Sequence, residues 1–291
     1  MNKKDSITIF QVDSFTDTPF KGNPAGVCVL ESPLDDELMQ NIAAEMNLSE
    51  TAFAVPKTKT PITQTDKFNL RWFTPKCEVS LCGHATLATA RVLYDIFEVK
   101  SDTLTFTTLS GDLMTSRRED LIQLDFPAGD PQPVELPEYM IDALNLYENG
   151  IDEFIHGASQ CTKTKILLVR LSKPEIIADI SPKFNDLFHA EEAMGTKGII
   201  VTAGGQGPYD FISRFFAPCY GIDEDPVTGA AHIVLTPYWS LMLKKKKLMA
   251  YQASRRGGEL IVELKEDSKW GKNRVLISGK AVIIMQGVIK I

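Results

Sequence analysis

The sequence predicts an α+β protein of two similar halves, each a curled sheet around one buried helix. Three observations carry this: an internal repeat, two helical segments apolar on nearly every side, and several segments alternating as strands do. The repeat is read first, because self-similarity at a fixed offset governs the rest. Arg71-Trp72-Phe73-Thr74-Pro75 is followed by Gly83-His84-Ala85-Thr86, and Arg214-Phe215-Phe216-Ala217-Pro218 by Gly229-Ala230-Ala231-His232. The offset is 143 residues at the first pair and 146 at the second. Gly111-Asp112-Leu113 and Gly258-Glu259-Leu260 form a third pair in the same order. Half of the 291-residue chain is close to that offset, so the repeat spans the molecule.

Within each copy the segments follow from periodicity. Residues 7–12, 68–73, 104–108 and 121–126 read as strands. Residues 34–46 read as an amphipathic helix with acidic residues in its first turn. Residues 83–93 and 229–243 are apolar on most faces, and a helix apolar nearly all round is buried, here inside a curled sheet. Residues 181–195 are too mixed to assign. Pro127-Ala128-Gly129-Asp130-Pro131-Gln132-Pro133 is the joint, because Pro and Gly there break both periodicities. The domains expected are 1–127 and 134–291, with the last strand free to pack back on the first.

Composition narrows the function. An apolar share of 44% and a charged share of 24% belong to a globular protein. A net charge of −7 argues against a nucleic-acid partner, which calls for a basic face. No apolar run approaches the roughly 20 residues that span a bilayer, so no membrane partner is expected. Met1-Asn2-Lys3-Lys4-Asp5-Ser6 leads straight into a strand pattern without the apolar core of a signal peptide, and a cytoplasmic location is expected. Cys28, Cys77, Cys82, Cys161 and Cys219 are odd in number and lack CxxC spacing, which argues against a disulfide framework or a structural zinc. With the four histidines dispersed as well, no metal site is expected.

Both apolar helices begin at a glycine after a turn: Leu81-Cys82-Gly83-His84 and Asp225-Pro226-Val227-Thr228-Gly229. A helix start presents unpaired N–H groups and partial positive charge, which suits an anion. The competing explanation is plain capping, with Asp225 or Thr228 satisfying the end groups. Glu50 stands where a helix ends and an apolar strand begins, between Leu48 and Phe53. Burial there would raise its pKa and suit general acid–base work, although the residues alone favour a surface turn. His84 would relay a proton or donate a hydrogen bond if neutral, or simply pack. Lys244 to Lys247 reads as a solvated helix end, and Arg255-Arg256-Gly257-Gly258 as a turn.

Taken together, Phe10-Gln11-Val12-Asp13-Ser14-Phe15-Thr16 with Phe20-Lys21-Gly22-Asn23-Pro24-Ala25 resembles the opening of PhzF-like (phenazine-biosynthesis-like) isomerases. Asn47-Leu48-Ser49-Glu50-Thr51, Cys82-Gly83-His84-Ala85-Thr86 and Asp225-Pro226-Val227-Thr228-Gly229 resemble that family's three active-site motifs, in order, and Gln252-Ala253-Ser254 through Gly257-Gly258 its later motif. The resemblance covers nearly the whole chain and overturns the surface-turn reading of Glu50. It implies two domains of the diaminopimelate-epimerase type, each a curled, mostly antiparallel or mixed barrel-like sheet around a central helix, with the active site between them. It also implies a homodimer, no cofactor, and a proton moved between carbons of a small acidic substrate. Glu50, His84 and Asp225 fall on the family's catalytic positions, and Gly83, His84, Ala85, Gly229 and Ala230 on its substrate-anion positions. Ala230 departs from the Ser of many members, so a hydroxyl there is missing.

The related racemases use one thiol from each half, but here Thr228 stands in the second half where a thiol would be needed. Two-thiol racemisation is therefore disfavoured, and Cys82 reads as an inert buried residue. The rival from another class is a non-catalytic small-anion-binding or regulatory protein on the same fold.

Overall fold

A computed structural model of the chain describes residues 6–147, 150–266 and 273–291. Met1–Asp5, the start of the segment read above as leaderless, lies outside the described residues. The chain forms two compact units, Met1–Asp125 with Ser278–Ile291, and Phe126–Ile277.

The first unit runs β1 (Ser6–Ser14), β2 (Asn23–Val29), α1 (Asp36–Met46), β3 (Glu50–Pro56), β4 (Lys67–Phe73), β5 (Glu78–Val79), α2 (Gly83–Asp95), β6 (Thr103–Thr108) and β7 (Gly111–Arg118). It continues into β8 (Leu121–Pro127), which carries the chain over the boundary. The second unit opens with β9 (Pro131–Val134) and α3 (Glu138–Ala143). It then runs β10 (Ile155–Cys161), β11 (Leu167–Leu171), α4 (Phe184–Met194), β12 (Ile199–Gly204), β13 (Phe211–Ala217), β14 (Ile222–Glu224), α5 (Gly229–Leu243), β15 (Lys247–Gln252) and β16 (Gly258–Lys265). β17 (Arg274–Gly279) leads back to the first unit, where β18 (Ala281–Lys290) pairs antiparallel with β1.

The pairings repeat element by element. β2–β3 and β11–β12 are parallel, spanned by α1 and α4 respectively. β4–β6 and β13–β15 are parallel, spanned by α2 and α5. Antiparallel β1–β2 and β10–β11, β3–β4 and β12–β13, and β6–β7 and β15–β16 complete the correspondence. Each unit is thus a mixed sheet, as a curled α+β fold requires.

The arginines that open the repeat explain its persistence. Arg71 donates from Nε and Nη2 to the two oxygens of Glu78 at 2.7 Å each, and its guanidinium lies 5.1 Å from the ring centroid of Phe73. Arg214 does the same to Glu224 at 2.7 and 3.0 Å, 4.9 Å from the Phe216 ring. Residues two apart share one face of a strand, so Arg-x-Phe places each guanidinium on a ring while the next strand supplies the carboxylate.

The central helices are buried as their composition demands. From His84 to Ala90 every residue of α2 is buried, and Leu87 and Leu93 are fully so. Burial of such a leucine contributes about 1.5–3 kcal/mol. α5 carries Pro237 in its interior. Proline offers no N–H, so the carbonyl of Ile233 loses its partner one turn back. Gly129 replaces it, donating its N–H to Ile233 O at 3.1 Å. The joint is therefore a docked segment rather than a loose linker. Asp130 accepts from Cys161 Sγ at 3.1 Å and from Thr162 Oγ1, and Pro131 to Val134 form β9 against β10.

Candidate active site

Glu50 is seated by the turn before it. α1 ends at Asn47, which takes the left-handed conformation (φ 50°) and donates its N–H to Ala43 O. Asparagine tolerates that conformation better than most residues, and it ends the helix cleanly. β3 then begins with Glu50, opposite Ala25 of β2, and Ser49 Oγ stands 3.5 Å from Asn23 Oδ1. The opening motif builds the strand beneath. Asp13 accepts the N–H of Phe20 at 2.7 Å. Gly22 has φ +63° and a Cβ there would lie 2.1 Å from Ser14 O, so only glycine fits.

α2 brings the second group. Ser14 donates from Oγ to His84 O at 2.8 Å, tying the helix start to β1. His84 Nε2 stands 3.2 Å from Glu50 Oε2, and His84 Nδ1 3.5 Å from Cys82 Sγ. The Nε2–Oε2 approach is within hydrogen-bond distance but off axis, and both atoms are shut off from solvent. Side-chain exposure is 5% for His84 and 13% for Glu50. Burial pushes the His84 imidazole down to about 3, and the ring is neutral at physiological pH. Cys82, the N-cap residue, is extended and makes no side-chain cap at the start of α2.

Glu50, Cys82 and His84 place one donor atom each within 4.8 Å of one another, a donor set that zinc accepts. The geometry fits a metal poorly. The thiol faces one ring nitrogen and the carboxylate approaches the other, whereas a metal takes a single nitrogen of an imidazole. The three groups form one compact cluster about the ring rather than a line through it.

The second unit holds the other predicted residues. Thr228 precedes α5 without capping it, because its hydroxyl donates to Asp225 Oδ2 at 2.5 Å. Gln252 grips this loop three times, donating to Asp225 O at 2.7 Å and to Thr228 Oγ1 at 3.2 Å and accepting the N–H of Thr228 at 2.9 Å. Ser254 donates to Pro226 O at 2.8 Å. The hydroxyl of Thr228 is committed to Asp225, so Thr228 itself does not cap the Gly229 helix start. Gly229 is buried and Ala230 half-buried at the first turn. In the first unit Gly83 is half-buried and Ala85 buried within α2.

Sequence reasoning missed four contributors: Cys82 as the neighbour of His84, Ser14 as the tie to the helix start, and Gln252 with Ser254 as the braces of the Asp225 loop. All of them stand in motifs quoted above, but periodicity could not reveal their roles.

His232, one turn into α5, is fully buried. It donates from Nδ1 to Thr228 O at 2.8 Å, and its ring lies 5.9 Å from that of Phe211. Burial lowers its pKa from 6.5 to about 4. As pH falls, the unfolded chain binds this proton first, so the stability contribution is complete above 6.5 and is lost as pH drops through about 4. Between about pH 7 and about pH 4.5, wild type should lose about 2 kcal/mol more than a His232→Gln variant. Urea unfolding at the two pH values checks this, and equal losses would refute it.

Mixed sheets wound about central helices, in two matching copies, define an epimerase-like fold. The known proteins agree. The phenazine biosynthesis-like protein family (PhzC-PhzF) matches residues 12–287. The chain belongs to this family. It is 46% identical over 292 residues to mouse phenazine biosynthesis-like domain-containing protein 1, covering 97% of this chain and 99% of that protein. It is 43% identical to an uncharacterized isomerase of Pseudomonas aeruginosa, covering 97% and 98%. A crystal structure of a PhzF-family protein from Enterococcus faecalis superposes with a TM-score of 0.87 at 42% identity, covering 98% and 100%. A hydroxyproline epimerase from Agrobacterium vitis shares the fold alone, with a TM-score of 0.60 at 9% identity and coverage of 99% and 94%.

Proposed function

We propose that the protein is an isomerase that moves a proton between carbons of a small carboxylate-bearing substrate, with Glu50 as both base and acid. The observation that carries this is the approach of Glu50 Oε2 to Nε2 of a buried, neutral imidazole at 3.2 Å, beside the uncapped start of α2. The ionised Glu50 takes a proton from a carbon next to an activating group, and the electron pair moves into that group. Glu50 then returns the proton to a different carbon, so no net charge is gained or lost. N–H groups at Gly83, His84 and Ala85 would hold a substrate anion and stabilise the developing charge. Asp225, Gly229 and Ala230 are carried as the second unit's contribution to binding and catalysis. The family's isomerase relatives support the reading, and so does the commitment of the Thr228 hydroxyl to Asp225, which leaves a two-base racemase without its second base. The reading includes a homodimer working without a cofactor in the cytoplasm.

The test is an NMR screen of small carboxylates in deuterated buffer. Enzyme-dependent deuterium uptake at carbon is expected for at least one. Binding without exchange across the panel would favour the anion-binding rival.

A further inference from the structure

We propose that Gln252 is a positioning residue for Asp225: its amide turns the Thr228 hydroxyl onto the Asp225 carboxylate and holds the loop that carries both. The inference rests on the reading of Asp225 as part of the second unit's contribution. Gln252 is the last residue of β15, paired with Gly258 of β16 and Ser213 of β13, and it is fully buried. A buried amide must find its partners within the protein. Here those partners fix every direction. The N–H of Thr228 can only donate, so the atom facing it at 2.9 Å is the amide oxygen. The amide nitrogen then donates one hydrogen to the carbonyl of Asp225 at 2.7 Å and the other to Thr228 Oγ1 at 3.2 Å. Thr228 has a single hydroxyl hydrogen. With Oγ1 already accepting from the amide, that hydrogen goes to Asp225 Oδ2 at 2.5 Å. A second chain runs the same way: Gly257 N–H donates to Ser254 Oγ at 3.1 Å, and Ser254 Oγ to Pro226 O at 2.8 Å.

The internal repeat shows that this brace is not a requirement of the fold. At the offset of 146, Asp225 and Thr228 correspond to Val79 and Cys82. Gln252 and Thr108 are the last residues of the matching strands β15 and β6. Thr108 donates to Gly111 O at 2.8 Å, within its own hairpin. The first copy therefore builds the same strand, turn and helix start with Val79, Cys82 and Thr108. The three polar groups occur together in the second copy, drawn from two separate segments of the chain. A purely architectural brace would be needed in both copies, whereas this one accompanies the carboxylate.

A residue that works through Asp225 must lose its effect when Asp225 is changed, which a double-mutant cycle reads. The measurement is solvent-deuterium exchange on a small carboxylate with which the wild type shows it. Gln252→Met keeps the length of the side chain and removes its polar atoms. It should lower the exchange rate about tenfold, the worth of one directed hydrogen bond. In an Asp225→Asn background the same change should lower it by less than about twofold. Thr228→Val should match Gln252→Met, and Thr228→Ser, which keeps the hydroxyl, should behave as wild type. Equal losses from Gln252→Met in both backgrounds would make the residue a plain brace and overturn the proposal. Side-chain amide spectra of ¹⁵N-glutamine-labelled protein give a readout that needs no substrate, with the Gln252 pair assigned through its contact with Thr228. Both Nε2 protons should exchange slowly with solvent in wild type. One of them should quicken about tenfold in Thr228→Val but not in Thr228→Ser. Protons unaffected by Thr228→Val would overturn the proposal, even if Gln252→Met failed to fold. Normal exchange by Asp225→Asn would instead overturn the reading of Asp225, and the amide protons would still decide whether Gln252 directs the hydroxyl.

Discussion

Glu50→Gln should lower solvent-deuterium exchange by about 10² to 10⁴-fold, towards the upper end of what a general acid–base group contributes. The amide nearly preserves the shape of the side chain at the head of β3. It removes the one function that matters here, accepting a proton and giving it back. Substrate-anion affinity should hardly change, because the anion is assigned to the start of α2. Stability should hold or rise slightly, since a carboxylate with 13% of its side chain exposed is costly to desolvate and an amide less so. The purified variant would be measured for exchange, ligand affinity and thermal unfolding. Near-normal exchange by a folded variant would sink the mechanism. Loss of exchange together with loss of binding would relocate Glu50 to substrate holding.

The repeat was visible in the sequence because its anchors are short, local and chemically unusual. Arg-x-Phe survives in both copies since each strand needs its guanidinium paired and stacked. The starts of α2 and α5 at Gly83 and Gly229 were readable because a glycine after a turn breaks the strand pattern. α4 was not readable: residues 181–195 mix apolar and charged side chains, and one buried glutamate, Glu191, disrupts the stripe. Glu191 is inside because it accepts the N–H of Cys219 at 2.9 Å, a partner 28 residues away that no local pattern reveals. Burial raises its pKa. For the same reason the cluster of Cys82, His84 and Glu50 was only half readable. His84 and Cys82 are two residues apart, but their meeting with Glu50 depends on the sheet that seats β3 against α2. The prolines of the joint were read as breaks in structure. They instead form β9, which shows that proline excludes a strand only where its missing N–H is needed.

The repeated arginines are not equal in weight, and a large difference in stability is expected between them. Arg214 has 11% of its side chain exposed and Glu224 20%. Beyond that pair, Arg214 Nη1 donates to the carbonyls of Ile177, Ala178 and Ile180 at 3.2, 3.2 and 2.6 Å. Arg214→Ala therefore strands a mostly buried carboxylate and deprives three carbonyls of a donor. Breaking a buried pair from one side costs about 3–5 kcal/mol, a large share of the roughly 5–15 kcal/mol that holds a protein folded. Arg71 has the same bidentate partner geometry with Glu78, 23% exposed and so close to Glu224, but Arg71 is itself 33% exposed, its second partner Asp36 is 77% exposed, and no carbonyls share its guanidinium among the described contacts. Water can take over much of what Arg71 supplies, so Arg71→Ala should cost about 1–2 kcal/mol, closer to a surface pair. The stacking on Phe73 and Phe216 is common to both and cancels in the comparison. Urea unfolding of the two single variants gives the difference directly, and adding Glu224→Ala to Arg214→Ala should recover part of the loss by removing the stranded charge. Equal losses at the two positions would show that the carbonyl contacts do not set the difference, and no recovery in the double variant would show that the stranded carboxylate does not carry the loss at Arg214.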